Sequence, residues 1–213
     1  MSIDISRYYS PHDGQKDIHE SKANEKYIEA ARRWGKGRGA FGELLLCYRD
    51  SLNREYDSAR VPPGMHAWIV VPAMNQGLQT WHELLQLLPS AFIKDINRAE
   101  RLIYLNGVDG KDPRWGLIEV KSAHDPETLQ SVGLDFLWMQ ESQDIRDEAF
   151  VKAKPMLRDK SRMGRAVYEG IPALYPEHWF WKGCAFAQRT TNKRYFYKHA
   201  TVYDNPMLTD EDK

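Results

Sequence analysis

The sequence is poor in cysteine, balanced in charge and short of long apolar runs, and each shortage excludes something. Two cysteines, Cys47 in an apolar helical pattern and Cys184 in an aromatic-rich one, cannot build a disulfide scaffold; they read as buried thiols suited to a reducing compartment. Thirty Lys and Arg against thirty Asp and Glu leave no global field to gather nucleic acid or a membrane surface, so any contact with DNA has to come from a local patch. No apolar stretch approaches the roughly 20 residues of a membrane span, and Met1-Ser2-Ile3-Asp4 lacks a basic or apolar leader region. A cytoplasmic location without a membrane partner is therefore expected. The seven histidines have no metal-ligand spacing, which argues against a zinc site. Internal repeats and low-complexity tracts are missing as well.

What is present is the material of one folded domain. Apolar residues make up 42%, and seven Trp with eleven Tyr argue against disorder. Strand and helix signals alternate. Tyr27 to Ala31 reads as a short strand, 40–54 as a helix with Leu44, Leu45, Cys47 and Tyr48 on its apolar face, 66–72 as a strand stopped by Pro72, and 76–88 as a helix. Residues 101–105 and 116–121 read as neighbouring strands across a loop around Gly107-Val108-Asp109-Gly110. A strand over 134–139, a helix over 148–157, a strand over 166–170 and one at Tyr195-Phe196-Tyr197 complete the series. The first 25 or so residues and Thr209 to Lys213 read as polar segments. Repeated strand-then-helix order implies an α/β fold with a mostly parallel central sheet and helices on both faces.

Two places could carry chemistry. Arg32-Arg33-Trp34-Gly35-Lys36-Gly37 lies between a strand and a helix, where backbone N–H groups and a helix N-terminus can meet phosphates while a lysine reaches the terminal one. The full phosphate-loop pattern would put a glycine where this sequence has alanine and a hydroxyl at Gly37, so a solvated basic turn remains an alternative. About a hundred residues on, Gly133-Leu134-Asp135-Phe136-Leu137-Trp138-Met139-Gln140-Glu141 is an apolar strand ending on a carboxylate, where a nucleotide hydrolase places the glutamate that activates water. Alternatively, Glu141 opens the solvated run Glu141-Ser142-Gln143-Asp144. The basic scatter Lys152, Lys154, Arg158, Lys160, Arg162 and Arg165 reads either as a DNA path or as a solvated helix and loop. The aromatic cluster Tyr175, Trp179, Phe180 and Trp181 reads as core rather than as a base-stacking platform.

Taken in order, these segments resemble the ATPase domain of the large terminase subunit, the motor that packages DNA into the capsids of tailed bacteriophages. Tyr9-Ser10-Pro11-His12-Asp13-Gly14-Gln15 resembles its adenine-recognising motif, 32–36 its phosphate loop, and Trp68-Ile69-Val70-Val71-Pro72 the strand that follows. Residues 118–129, with Ser122-Ala123-His124-Asp125-Pro126, are similar to a family segment of strand and serine-alanine-x-x-proline-x-x-leucine. Residues 134–141 match the acidic strand, Gly170-Ile171-Pro172 with His178-Trp179-Phe180 the coupling motif and its aromatic follower, and 200–206 the linker toward a nuclease domain.

The resemblance implies a P-loop NTPase of the additional-strand, catalytic-glutamate type over 1–203. Residues 204–213 would begin a linker toward a nuclease domain that this sequence does not contain, as an isolated domain or a separate subunit would. It implies ATP and Mg2+ as cofactors, Lys36 on the β and γ phosphates, Glu141 as the water-activating group and Gln15 as the reader of adenine. Arg32, Arg33, Trp34, Gly35 and Gly37 would complete the nucleotide site, and Gly170, Ile171 and Pro172 would couple it to movement. Implied partners are duplex DNA, further copies in a ring, the portal protein and the small terminase subunit, with a virus-encoded protein docking on the procapsid in the host cytoplasm. The departures are Gly37 for the hydroxyl residue, Gln140 for the acidic magnesium partner, leaving at most a hold through water, Gln130 at the trans-acting arginine position and Ile171 for the coupling threonine. They predict slow hydrolysis, or a degenerate nucleotide-binding or structural subunit as the alternative.

Overall fold

A computed structural model describes residues 4–53, 64–107, 116–209 and 211. Eight strands form one sheet in the order β3-β4-β5-β2-β6-β7-β1-β8. The strands are β1 (Glu25–Ala30), β2 (His66–Val71), β3 (Ile93–Asn97), β4 (Leu102–Leu105), β5 (Leu117–Ser122), β6 (Phe136–Met139), β7 (Arg165–Gly170) and β8 (Tyr195–Ala200). Only β4 runs against its neighbours; from β5 to β8 every pairing is parallel. The helices are α1 (Asp13–Glu20), α2 (Lys36–Leu52), α3 (Met74–Leu87), α4 (Asp147–Ala153) and α5 (Trp179–Arg189).

Side chains alternate along each strand, so the buried central strands feed two cores. Ala67 and Ile69 of β2 and Phe136 and Trp138 of β6 face the core closed by α1, α2 and α3. Trp68, Val70, Leu137 and Met139 face the opposite one, closed by α4 and α5, where Tyr168, Trp179 and Phe180 also pack. Trp179 and Phe180 thus prove to be core, while Tyr175 and Trp181 are exposed. Cys47 and Cys184 are free and buried, one in each core.

The structure differs from the sequence reading where tertiary packing overrides local signals. Helix α2 starts at Lys36 rather than at 40, because Gly35 takes a left-handed conformation as its cap while Gly37 and Gly39, poor helix formers, hide the first turn. Helix α4 ends at Ala153 and passes into a tighter turn over Lys154–Arg158 at Pro155. Helix α1 lies within the stretch read as polar; Gln15 and Ile18 form its narrow buried face. Strand β3 lies at the sheet's edge with no fully buried residue and three polar residues in five, and periodicity does not reveal it. Residues 179–189, ahead of the final strand, are helical. Val108 to Gly110 of the expected loop, Arg54 and parts of the last segment lie outside the described residues. Strand β6 begins at Phe136, and the preceding Asp135 is fully buried, accepting hydrogen bonds from Arg162 at 2.8 Å and from the backbone of His66 and Met163.

Candidate functional site

In sheet order β6, β7 and β1 are adjacent and parallel, so the segments leaving their carboxyl ends converge. After β1 the chain makes a tight loop in which Arg33 (φ 62°) and Gly35 (φ 94°) both take left-handed conformations. Gln15 fixes that shape: its Nε2 donates to the Gly35 carbonyl at 2.7 Å, and its Oε1 accepts from the His12 backbone at 3.2 Å and from Tyr9 at 3.4 Å. A Cβ on residue 35 would lie 2.9 Å from that Nε2, so glycine serves both the backbone conformation and the close approach. The His12 ring meets the Trp34 carbonyl at 3.0 Å. Trp34 itself is fully buried and acts as the anchor of the loop, whereas Arg32 and Arg33 are exposed at its rim.

Lys36 is the first residue of α2 and is buried to 8% exposure. Its Nζ lies 3.1 Å from Glu141 Oε1, which is partly open to solvent. Glu141 follows β6 in a left-handed conformation (φ 47°, ψ 53°), an uncommon backbone for a non-glycine residue and one found disproportionately at working sites. Its other oxygen accepts from Gln143 at 3.0 Å, and Gln143 Oε1 in turn accepts the Ile171 backbone N–H at 3.1 Å. Gln143 therefore bridges Glu141 to the segment after β7. Gly170 belongs there for a steric reason, since a Cβ would fall 2.3 Å from Gln143 Oε1.

Gln140 is engaged with α3: its Oε1 accepts the Thr80 hydroxyl at 2.5 Å. Gly37 offers no oxygen on its side chain. Residue 37 thus offers a divalent cation no side-chain ligand, and the Gln140 oxygen is already engaged by Thr80. The acidic group that does stand beside the loop is Glu169, the penultimate residue of β7, which sequence reasoning missed. It is 1% exposed; its Oε1 accepts from Trp138 Nε1 at 3.3 Å, and its Oε2 has no hydrogen-bond partner among the described residues. Burial pushes its carboxyl up to about 8, against the pull of Lys36 and with a further push from Glu141. A pocket of about 260 Å³ opens beside the loop, lined by Lys36, Gly37, Arg38, Thr80 and Trp138 among others.

Elsewhere the candidate residues make contacts of their own. Gln130 is exposed and donates to Glu127 at 3.1 Å. Lys152, Lys154, Arg162 and Arg165 are all ion-paired, with Glu127, Glu25, Asp135 and Asp50. That leaves Arg158 and Lys160 as the exposed members of the basic scatter. No helix among the described residues is long and apolar enough to cross a membrane.

A glycine turn after one strand, a lysine opening the next helix, and a glutamate just past a strand two places away in a mostly parallel sheet belong to an α/β fold with helices on both faces. Within that class, the chain is similar in structure to large terminases of phages. The ATPase domain of the Thermus phage P74-26 large terminase superposes with a TM-score of 0.71 at 20% identity, over 92% of this chain and 83% of that one. The large terminase of a second thermophilic bacteriophage gives 0.69 at 13% identity, over 95% and 49%. That of bacteriophage HK97 gives 0.67 at 12%, over 96% and 41%. The chain thus spans less than half of the latter two proteins. No protein-family model and no curated protein matches the sequence.

Proposed function

We propose that this chain is the ATP-driven motor domain of a viral DNA-packaging terminase, coupling ATP hydrolysis to translocation of duplex DNA into a capsid. The observation that carries the reading is the 3.1 Å contact between Lys36 and Glu141, which unites the two motifs the chemistry needs. Lys36 and the backbone of 33–37, at the N-terminus of a 17-residue helix, hold the phosphates. Glu141 polarises the attacking water, Gln143 keeping its carboxylate oriented. Gln15 belongs to the adenine end of the site through the loop it braces, and Arg32 stands at the rim. Gly170-Ile171-Pro172, joined to Glu141 through Gln143, carries the state of the site to the rest of the motor, and Gln130 faces a neighbouring copy's nucleotide in a ring.

When bound with the nucleotide, Mg2+ would supply neutralisation of phosphate charge beside Lys36. Portal protein, small terminase subunit and docking on the procapsid in the host cytoplasm belong to the same proposal. The similarity to the large terminase of the second thermophilic phage, which has been solved with ATP-γ-S and with ADP, supports the nucleotide part. The test is ATP turnover by the wild type beside Lys36→Ala and Glu141→Ala. Each substitution should lower it by about 100-fold or more, as loss of one charge-stabilising group commonly does, and equal rates in all three would overturn the enzymatic claim.

The departures at Gly37, Gln130, Gln140 and Ile171 favour a second reading, a nucleotide-binding subunit of the packaging assembly that no longer hydrolyses. Calorimetric titration with ATP and magnesium separates the two: tight binding without turnover supports the second reading.

A further inference from the structure

At the nucleotide site the ordinary cation ligands are missing from their ordinary places. Residue 37 has no hydroxyl, and the side-chain oxygen of Gln140 is taken by Thr80 at 2.5 Å. Yet a carboxylate has been buried beside the loop, at 1% exposure, with one oxygen held by Trp138 and the other without a partner among the described residues. Leaving a buried carboxylate oxygen unpaired is costly, and in native proteins such groups commonly have a ligand or a working role.

The position of that carboxylate is informative. A Cβ built on Gly37 would lie 4.0 Å from Glu169 Oε1 and 3.7 Å from the Trp138 ring. The Glu169 carboxyl therefore borders the space a hydroxyl at position 37 would use, through Oε1, the oxygen that also accepts from Trp138. Lys36 and Glu141 are its charged neighbours. The missing hydroxyl and missing acidic neighbour on one side, and the orphan acid on the other, are complementary.

We infer that Glu169, with Glu141, supplies the protein carboxylates for the divalent cation that accompanies the nucleotide, replacing the ligands lost at positions 37 and 140. The inference rests on the nucleotide site described above and names its metal-holding residue. A magnesium-sized ion needs only one or two carboxylates when phosphate oxygens and water complete its six positions, so Glu169 and Glu141 suffice in number.

The experiment measures Mn2+ binding to the full chain, with and without ADP, by loss of the free-ion paramagnetic resonance signal, alongside ADP binding in chelator. Glu169→Gln keeps the size and the hydrogen bond from Trp138 while removing the ionisable oxygen that a cation would bind. It should weaken Mn2+ binding to the ADP complex by about tenfold or more and leave ADP binding in chelator within about twofold of wild type. Adding Gly37→Ser, which has room for its side chain, should restore much of the loss by supplying a hydroxyl ligand; a merely misfolded variant would not be rescued.

Unchanged Mn2+ affinity in Glu169→Gln would overturn the inference and leave Glu169 as a buried acceptor for Trp138. Wild type that binds ADP in chelator but gains no Mn2+ with it would overturn the inference alone, leaving the nucleotide site intact. Failure of wild type to bind ADP at all would overturn the nucleotide reading and the metal site with it.

Discussion

Gln143 shows how much one side chain can organise. Its amide joins Glu141 Oε2 at 3.0 Å to the Ile171 backbone at 3.1 Å, and it fits only because residue 170 has no Cβ. Gly170→Ala should therefore cost about 1 to 3 kcal/mol in denaturant unfolding, the usual range for overpacking a closed site. Paired with Gln143→Ala the cost should shrink, because the second substitution removes the clashing oxygen; simple additivity would show that the two residues do not interact. At this scale Lys36 and Glu141 are legible in the sequence, because each stands at a fixed offset from a strand or a glycine turn. Gln143 and Glu169 are not. Their partners lie 28 residues away for Gln143 with Ile171 and 31 for Glu169 with Trp138, separations set by the pairing of β6 with β7 rather than by any local pattern.

Among the elements, β2 and β5 share a side-chain contact on which stability depends. Glu119 of β5 accepts from His66 Nε2 at 2.6 Å and Trp68 Nε1 at 2.9 Å, both on β2, and Lys121 lies 3.8 Å away. Burial raises its carboxyl, but the hydrogen bonds from His66 and Trp68 and the charge of Lys121 outweigh it, so the group sits below the ordinary glutamate range. A depressed acid stabilises the fold above its unfolded pKa and loses that contribution as pH falls through the folded one. Glu119→Gln should accordingly destabilise the protein by about 1 kcal/mol at pH 7, with the difference closing below about pH 4. Unfolding curves collected from pH 3 to 8 would reveal it, and a constant offset would refute the linkage. The central strands are legible in the sequence because a parallel sheet covered on both faces demands continuous apolar runs such as Ala67 to Val71. The exposed edge strand β3 and the one-faced helix α1 carry weaker signals, since few of their residues are buried.

In the whole molecule, the segment after the last strand is tied back to the site. Asn205, beyond β8, donates from Nδ2 to the Arg33 carbonyl at 2.5 Å and accepts from the Met207 backbone at 2.9 Å. The segment that the sequence likens to a linker is thus fastened to the loop after β1 across 172 positions, a contact no sequence pattern announces. Asn205→Ala strands a partly buried carbonyl and should cost about 1 to 2 kcal/mol in unfolding free energy. It should also weaken ADP binding in calorimetry through the loosened loop, while unchanged stability and affinity together would mean the contact is idle. The pairing of Lys36 with Glu141 has a consequence of another kind. Each charge serves as the other's counter-ion, so on the proposed reading a polyanion arriving at Lys36 would compete with Glu141 for it and free that carboxylate for a water. The contact would then be an interlock, the base armed by the arrival of the load it acts upon.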